Sequence, residues 1–373
     1  MMYNQAIFFI GKCLTLGTYP ERIEEVKQIV KSDNFSWERV VFAASNQYVL
    51  PSWFIQMHTA GLLEEMPVEL VQHIEEITNL NRERNHQIKN QAIKIAALLN
   101  KHGIEPVFLK GTAHLLLGLY SDIAERMIGD IDVLVKDNEL ITAVELIKTL
   151  GFQPHEEYIA ALHFEMKHYP SMVNPDYPAA VEIHREILNS PYEKNFKAEN
   201  IFKTKQIVKG FDGIYVPGNK ELIFHNMVNV QVNDRNYSNA RVLLRQSYDL
   251  FLLSNTENPL YVFEDFGKFK KESLAWLATS AAILGNPENI KIKNTFAVKS
   301  YVWWFMFLQK HNRISIVHKH LQYFLMRLKR YILMPLIAVS NPVIRSGIKA
   351  RLTSKSWYNK QIDSYKKYFK KGI

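Results

Sequence analysis

The chain has 373 residues, 47% hydrophobic and 12% aromatic, enough apolar material for two or three domains and too much for a largely disordered protein. Its net charge of +9 is uneven: residues 301–373 carry 15 Lys and Arg against one acid, Asp363, a net of +14, which leaves 31 against 36, a net of −5, on residues 1–300. A single cysteine, Cys13, excludes a disulfide framework and points to a reducing compartment.

In chain order, the apolar opening MMYNQAIFFIGKCLTLG lacks a charged leader and a small-residue cleavage site, so it does not read as a signal peptide. Gly11 and Lys12 resemble the end of a phosphate-binding P-loop, but Cys13 follows and no glycine stands five positions before Gly11. Residues 1–102 read as an N-terminal helical region, in which Ile88, Ala92, Ile95 and Leu99 form a stripe at helical spacing that stops at Gly103.

Residues 103–190 alternate strand and helix. Pro106 to Leu109 reads as a short strand, and Lys110, Gly111 and Thr112 as the turn from which a helix through Leu119 begins. Glycine there lets backbone approach a ligand, the helix start offers unpaired N–H groups, and the Thr112 hydroxyl and Lys110 ammonium add donors, an arrangement suited to a triphosphate. In Asp130 to Val135, apolar Ile131, Val133 and Val135 alternate with Asp130, Asp132 and Leu134, so a strand sends both carboxylates to one face. Two adjacent carboxylates repel unless a cation or a basic side chain neutralises them, and such oxygen ligands suit Mg²⁺. A helix from Asn138 to Leu150, closed by Gly151, precedes the run AVEIHREI at 180–187. There Glu182 and His184 share a strand face opposite Val181, Ile183 and Ile187. Glu182 is the expected third acid, with Glu186 competing, while His184 reads as a packed, hydrogen-bonded histidine outside the catalytic set.

Residues 191–300 return to helix, with Leu222, His225 and Val228 on one and Leu243, Tyr248 and Leu252 on another. Residues 301–373 form a basic, aromatic-rich C-terminal region ending SWYNKQIDSYKKYFKKGI. Its charge suits a nucleic-acid backbone with base stacking, or an anionic membrane surface met by an amphipathic helix; a basic appendage packed on the acidic remainder is the plainer alternative. The longest apolar run, Tyr331 to Ile344, is interrupted by Pro335, Asn341 and Pro342 and is too short to span a bilayer.

Taken together, these segments resemble the poorly characterised bacterial nucleotidyltransferases of the DNA polymerase β-like superfamily. In that pattern an apolar strand ends in Lys-Gly, a helix closes near a Tyr, and an Arg precedes Asp-x-Asp and apolar residues. Lys110, Gly111, Tyr120, Arg126, Asp130 and Asp132 match it, and a later x-acid-apolar-His segment falls on Glu182 and His184. The similarity runs from about Trp37 to about Leu253, including NLNRERNHQIKNQAIKIAALLNKHGI and LRQSYDLFLL.

The resemblance implies an α+β fold, a small mixed β-sheet nucleotidyltransferase core with flanking helices, embedded between N-terminal and C-terminal helical regions. It implies transfer of a nucleoside monophosphate from a nucleoside triphosphate, with ATP the expected donor, to an acceptor hydroxyl on a small molecule, glycan precursor, protein or RNA, releasing pyrophosphate. Two Mg²⁺ ions about 3.5–4 Å apart are expected. Asp130, Asp132 and Glu182 are the expected catalytic residues and metal ligands. Lys110, Gly111, Thr112 and Arg126 are the expected nucleotide-binding residues, with Asp122 an alternative partner for Arg126. Helices after such a core often complete the pocket, which makes Arg245 and Asp249 further candidates, although a salt-bridged helix surface is the plainer expectation for both. The expected location is cytoplasmic, with the basic region able to hold the protein peripherally at a membrane. The alternative function is a non-catalytic nucleotide-binding, RNA-binding or membrane-surface protein that keeps the fold. Intact Asp130 and Asp132 argue against it.

Overall fold

Apolar spacing builds the helices that support the site. The computed structural model describes residues 1–155, 166–189, 192–241, 243–286, 290–292, 295–355, 357–359, 362–363 and 366. The expected boundary at 190/191 and most of the basic run after 355 therefore lie outside the described residues. The chain opens with helices α1 (Tyr3–Cys13), α2 (Arg22–Val30), α3 (Trp37–Asn46), α4 (Leu50–Thr59) and the 34-residue α5 (Val68–Lys101). Ile88, Ala92, Ile95 and Leu99 of α5 are fully buried in the cluster that also holds the central strands. The helix ends before Gly103, whose φ of +77° lies in the left-handed region that glycine adopts without steric cost.

Next come β1 (Val107–Phe108), α6 (Lys110–Leu117), β2 (Asp130–Leu134), α7 (Leu140–Thr149), β3 (Gln153–Pro154), β4 (Met172–Val173), β5 (Ala180–His184), α8 (Ala198–Thr204), β6 (Gln206–Ile207) and β7 (Tyr215–Val216). The seven strands form one mixed sheet in the order β3-β4-β5-β2-β1-β7-β6. This is the expected α+β architecture, a mixed sheet with helices before and after it. β2 and β5 run parallel in a register that sets Asp132 beside Glu182, while β1 runs antiparallel to β2. Val181, Ile183, Ile131 and Val133 are all fully buried beneath that pair, so the opposite parity carries the acids. The elements are trimmed relative to expectation. α6 stops at Leu117, where Gly118 takes φ +64°, and a short 3₁₀ turn at Asp137–Glu139 precedes α7.

Helices α9 (Asn219–Met227), α10 (Asn236–Asn239), α11 (Leu244–Leu253), α12 (Pro259–Phe266), α13 (Lys270–Leu284), α14 (Phe296–Lys310), α15 (Asn312–Ser340) and α16 (Pro342–Thr353) follow. A π-helical stretch, Val228–Asn233, continues directly from α9. A second core joins distant parts of the chain: Phe9, Ile10, Trp53 and Met57 pack with Tyr248, Phe251, Ile283 and Phe305. Gly11 belongs to this seam, because a Cβ there would lie 2.5 Å from Ile283 Cγ2 and 2.6 Å from its carbonyl oxygen. Close packing of α1 on α13 accounts for that glycine.

Cys13 is fully buried in the same core, and burial pushes its thiol up to about 12. A thiol-specific reagent at neutral pH is therefore expected to leave the folded protein unlabelled and to modify one thiol per chain after denaturation. Rapid labelling of folded protein would show that α1 opens without global unfolding.

Candidate active site

The local path of the chain from β1 into α6 sets the first cation. Leu109 N–H donates to the Asp132 carbonyl at 2.9 Å, tying the end of β1 to β2. Lys110 then takes φ +51°, a left-handed conformation that is strained for a residue with a Cβ and recurs at functional sites. Its ammonium donates to Asp132 Oδ1 and lies 4.0 Å from Glu182 Oε2. Gly111 faces the Arg126 guanidinium, where an added Cβ would sit 3.6 Å from Nη2. Thr112 is fully buried, and its hydroxyl donates to the Asp130 carbonyl at 3.4 Å. That bond ties Thr112 to β2, and Thr112 does not line the cavity described below.

The parallel β2–β5 pair gathers the acids. Asp132 is 2% exposed and accepts from Lys110 and from His184 Nε2 at 2.8 Å. Glu182 Oε2 lies 3.6 Å from His184 Nε2 and 3.8 Å from His168 Nε2. Burial opposes its ionisation, but the His184 hydrogen bond and then the Lys110 charge favour the carboxylate and hold it below its usual value. Burial, followed by the neighbouring Asp132 charge, pushes Asp130 up to about 6. Burial and His184 bring His168 down to about 4, which leaves it neutral.

Ligand atoms of Asp132, Glu182 and His184 all lie within 4.8 Å of one another, a group that can hold a metal ion. Relative to the expected trio, His184 joins and Asp130 stands outside. His184 is packed, as expected, but it is packed against the carboxylates. The signal for it was the shared parity of Glu182 and His184 in AVEIH. Glu186, the competing acid, accepts the Ala198 N–H at 3.2 Å at the start of α8 and is not part of this group.

Arg126 does not pair with Asp122. Its Nε and Nη2 donate to the two oxygens of Asp249, both at 2.9 Å, with the partners 7% and 1% exposed; Asp122 pairs instead with Arg82. Tyr120 donates to Asp249 Oδ1, and His114 Nδ1 lies 3.3 Å from the same oxygen. The expected helix-surface salt bridge is thus corrected to a buried network, because α11 packs its Asp249 face inward, where the fork of the Arg126 guanidinium meets both carboxylate oxygens.

These groups border a cavity of about 240 Å³. Lys110, Gly111, Arg126, Asp130 and Asp132 line one side, with Lys167, Asn226, Asn229, Arg245 and Gln246 also in its wall. Asn229 enters it from the π-helical stretch, a local irregularity common at functional sites. Lys110 and Arg126, expected to be free for phosphate, each hold a carboxylate. Among the described residues no carboxylate lies within 4.0 Å of Lys167 or Arg245. Arg245 donates Nη1 to the Met127 carbonyl at 3.0 Å, while its buried Nε has no hydrogen-bond partner among the described residues. Burial, reinforced by Arg126, lowers Arg245 to about 10; burial, reinforced by Lys110, lowers Lys167 to about 8. Sequence reasoning named Arg245 for its position after the core and missed Lys167, which carries no motif.

A family model described as an uncharacterised nucleotidyltransferase matches residues 33–274, a span that includes every residue of the cavity and of the acidic group. No curated protein and no solved structure matches the chain significantly.

Proposed function

The chain belongs to this uncharacterised nucleotidyltransferase family, and from that premise we propose that it transfers a nucleoside monophosphate from a nucleoside triphosphate, ATP first among them, to an acceptor hydroxyl, releasing pyrophosphate. The observation that carries this reading is the convergence of Asp132, Glu182 and His184 beside a polar cavity. The donor set fits a divalent cation: two carboxylates and an imidazole meet beside the Lys110 ammonium, and Asp130 next to them is left with a raised pKa. Asp132 and Glu182 would hold it, and Asp130 adds the carboxylate for a second ion. Mg²⁺ is the cation of choice for a site that also receives phosphate oxygens. When bound, the ion neutralises charge on the triphosphate and on the departing pyrophosphate.

The remaining work falls to the chain's own side chains. Arg245 and Lys167, the cavity cations with no carboxylate within 4.0 Å among the described residues, take the phosphate oxygens. Arg126 is held rigid by Asp249 at the cavity wall and shapes the field there. Glu182, ionised at neutral pH, is the carboxylate that accepts the proton of the attacking hydroxyl. With a cation held by Asp132 and Glu182, the Lys110 ammonium would be free to turn from Asp132 toward phosphate.

The test is a thermal-shift series with ATP, GTP, CTP and UTP, each with Mg²⁺ and with EDTA, followed by a pyrophosphate-release assay. One nucleotide is expected to stabilise the protein only with Mg²⁺. Arg245→Gln removes a charge-assisted contact of about 1.5–3 kcal/mol and is expected to weaken that nucleotide roughly tenfold or more. If none of the four shifts the native chain, the reading fails. A stabilising nucleotide with no pyrophosphate release under any acceptor extract would favour the binding-protein alternative.

A further inference from the structure

α15 carries an apolar stripe that the rest of the described protein leaves uncovered. Val317, Leu321, Phe324, Leu328, Ile332 and Val339 follow one another at intervals of four, three, four, four and seven residues, so they share one face of the helix. Their exposures run from 43% at Leu328 to 78% at Val339. Other positions of the helix face the protein body: His318 bonds the Ser238 carbonyl at 2.9 Å and its ring meets Trp304 edge-on at 5.4 Å. Helical spacing sets Arg313 and Arg327 along one border of the stripe and Lys329 along the other, and neither α15 nor α16 contains an acid. At about 1.5 Å per residue the 29-residue helix is about 43 Å long. No helix among the described residues is long and apolar enough to cross a membrane.

We infer that α15 docks flat on an anionic lipid bilayer, its stripe among the acyl chains and its bordering cations at the headgroups. Charge and shape choose this occupant. Long cationic side chains beside an apolar face place their heads at the level of lipid phosphates while their stems stay in hydrocarbon. An RNA would use the cations and leave six large apolar side chains in water. A second copy of the chain would bring two like-charged borders together.

The experiment is vesicle co-sedimentation of the full chain, without nucleotide, so its outcome is independent of the catalytic reading. Phosphatidylcholine vesicles containing phosphatidylglycerol are compared with phosphatidylcholine alone. The native chain is expected to sediment with the anionic vesicles at least tenfold more strongly than with the neutral ones, and added salt is expected to weaken that binding. Leu321→Glu with Leu328→Glu, both at exposed positions, is expected to lower the partition at least tenfold with an unchanged circular dichroism spectrum. Arg313→Gln with Lys329→Gln is expected to narrow the preference for anionic lipid. The inference is overturned if the native chain stays in the supernatant, or if the glutamate variant sediments as well as the native chain. It is equally overturned if the stripe proves to be a dimer seam, seen as a native dimer that the glutamates make monomeric while vesicles capture neither. Salt-sensitive binding of an RNA oligonucleotide, undiminished by the glutamates and with no vesicle binding, would give the surface to nucleic acid instead.

Discussion

Asp132→Asn is expected to abolish the Mg²⁺-dependent stabilisation by nucleoside triphosphate and to lower transfer by about 100-fold or more. A ligand at about 100 times its Kd stabilises a protein by about 2.7 kcal/mol, a rise of several degrees in Tm, and the variant should show none of that increment. Asparagine keeps the size of Asp132 and an oxygen acceptor for Lys110 and His184, but it removes the charge that a cation needs. Glu182 remains 4.0 Å from Lys110, so the ammonium retains a counter-charge and the fold should survive. The comparison uses the increment produced by nucleotide, which separates loss of the site from loss of stability. Glu186→Gln is the matched control. It alters the neighbouring acid of the same sequence run, whose carboxylate lies at α8, and should keep both increment and activity. An undiminished increment in folded Asp132→Asn would remove this carboxylate from the proposed role.

Asp249→Asn carries the largest expected effect on stability, a loss of about 3–5 kcal/mol. The change leaves Arg126, a residue 6% exposed, buried without its paired carboxylate, and turns one of the oxygens that accept from it into an amide donor. Tyr120 and His114 lose their charged partner at the same time. Replacing both members, Arg126→Met with Asp249→Leu, should recover much of the loss, because two apolar side chains need no compensation. The pH dependence has a definite sign. Burial opposes ionisation of Asp249, but the Arg126 charge and then His114 outweigh it and hold the folded carboxyl far below its usual value. A depressed carboxyl contributes stability that is fully present above the unfolded value, about 3.9, and disappears as pH falls toward the folded one. The gap between native protein and Asp249→Asn, measured as the shift of the urea midpoint, should therefore be full near neutrality and shrink in acid. A variant within about 1 kcal/mol of native at neutral pH would show that water reaches the network.

Much of the site can be read along the chain, because it depends on periodicities only a few residues long. Alternation in DIDVL and AVEIH determines that Asp130 with Asp132, and Glu182 with His184, leave the same faces of their strands whatever lies around them. The stripe on α5 and the stop at Gly103 follow from helical spacing and from the left-handed freedom of glycine. Family resemblance adds the expectation that those strands lie side by side, which periodicity alone does not imply.

What the tertiary structure decided is which charges meet. Arg126 finds Asp249 across 123 positions and Lys110 finds Asp132 across 22, so the two cations that looked free in their own segments are the paired ones. Lys167 and Arg245, in segments with no phosphate-binding pattern, are left in the cavity wall with no carboxylate within 4.0 Å among the described residues. That His184 rather than Asp130 completes the group with Asp132 and Glu182 likewise came from how β2 and β5 pack. The physical reason is common to all three. Side-chain direction is a property of local backbone geometry, whereas an ion pair depends on which groups burial brings within about 4 Å at low effective dielectric, and that is a property of the whole packed chain.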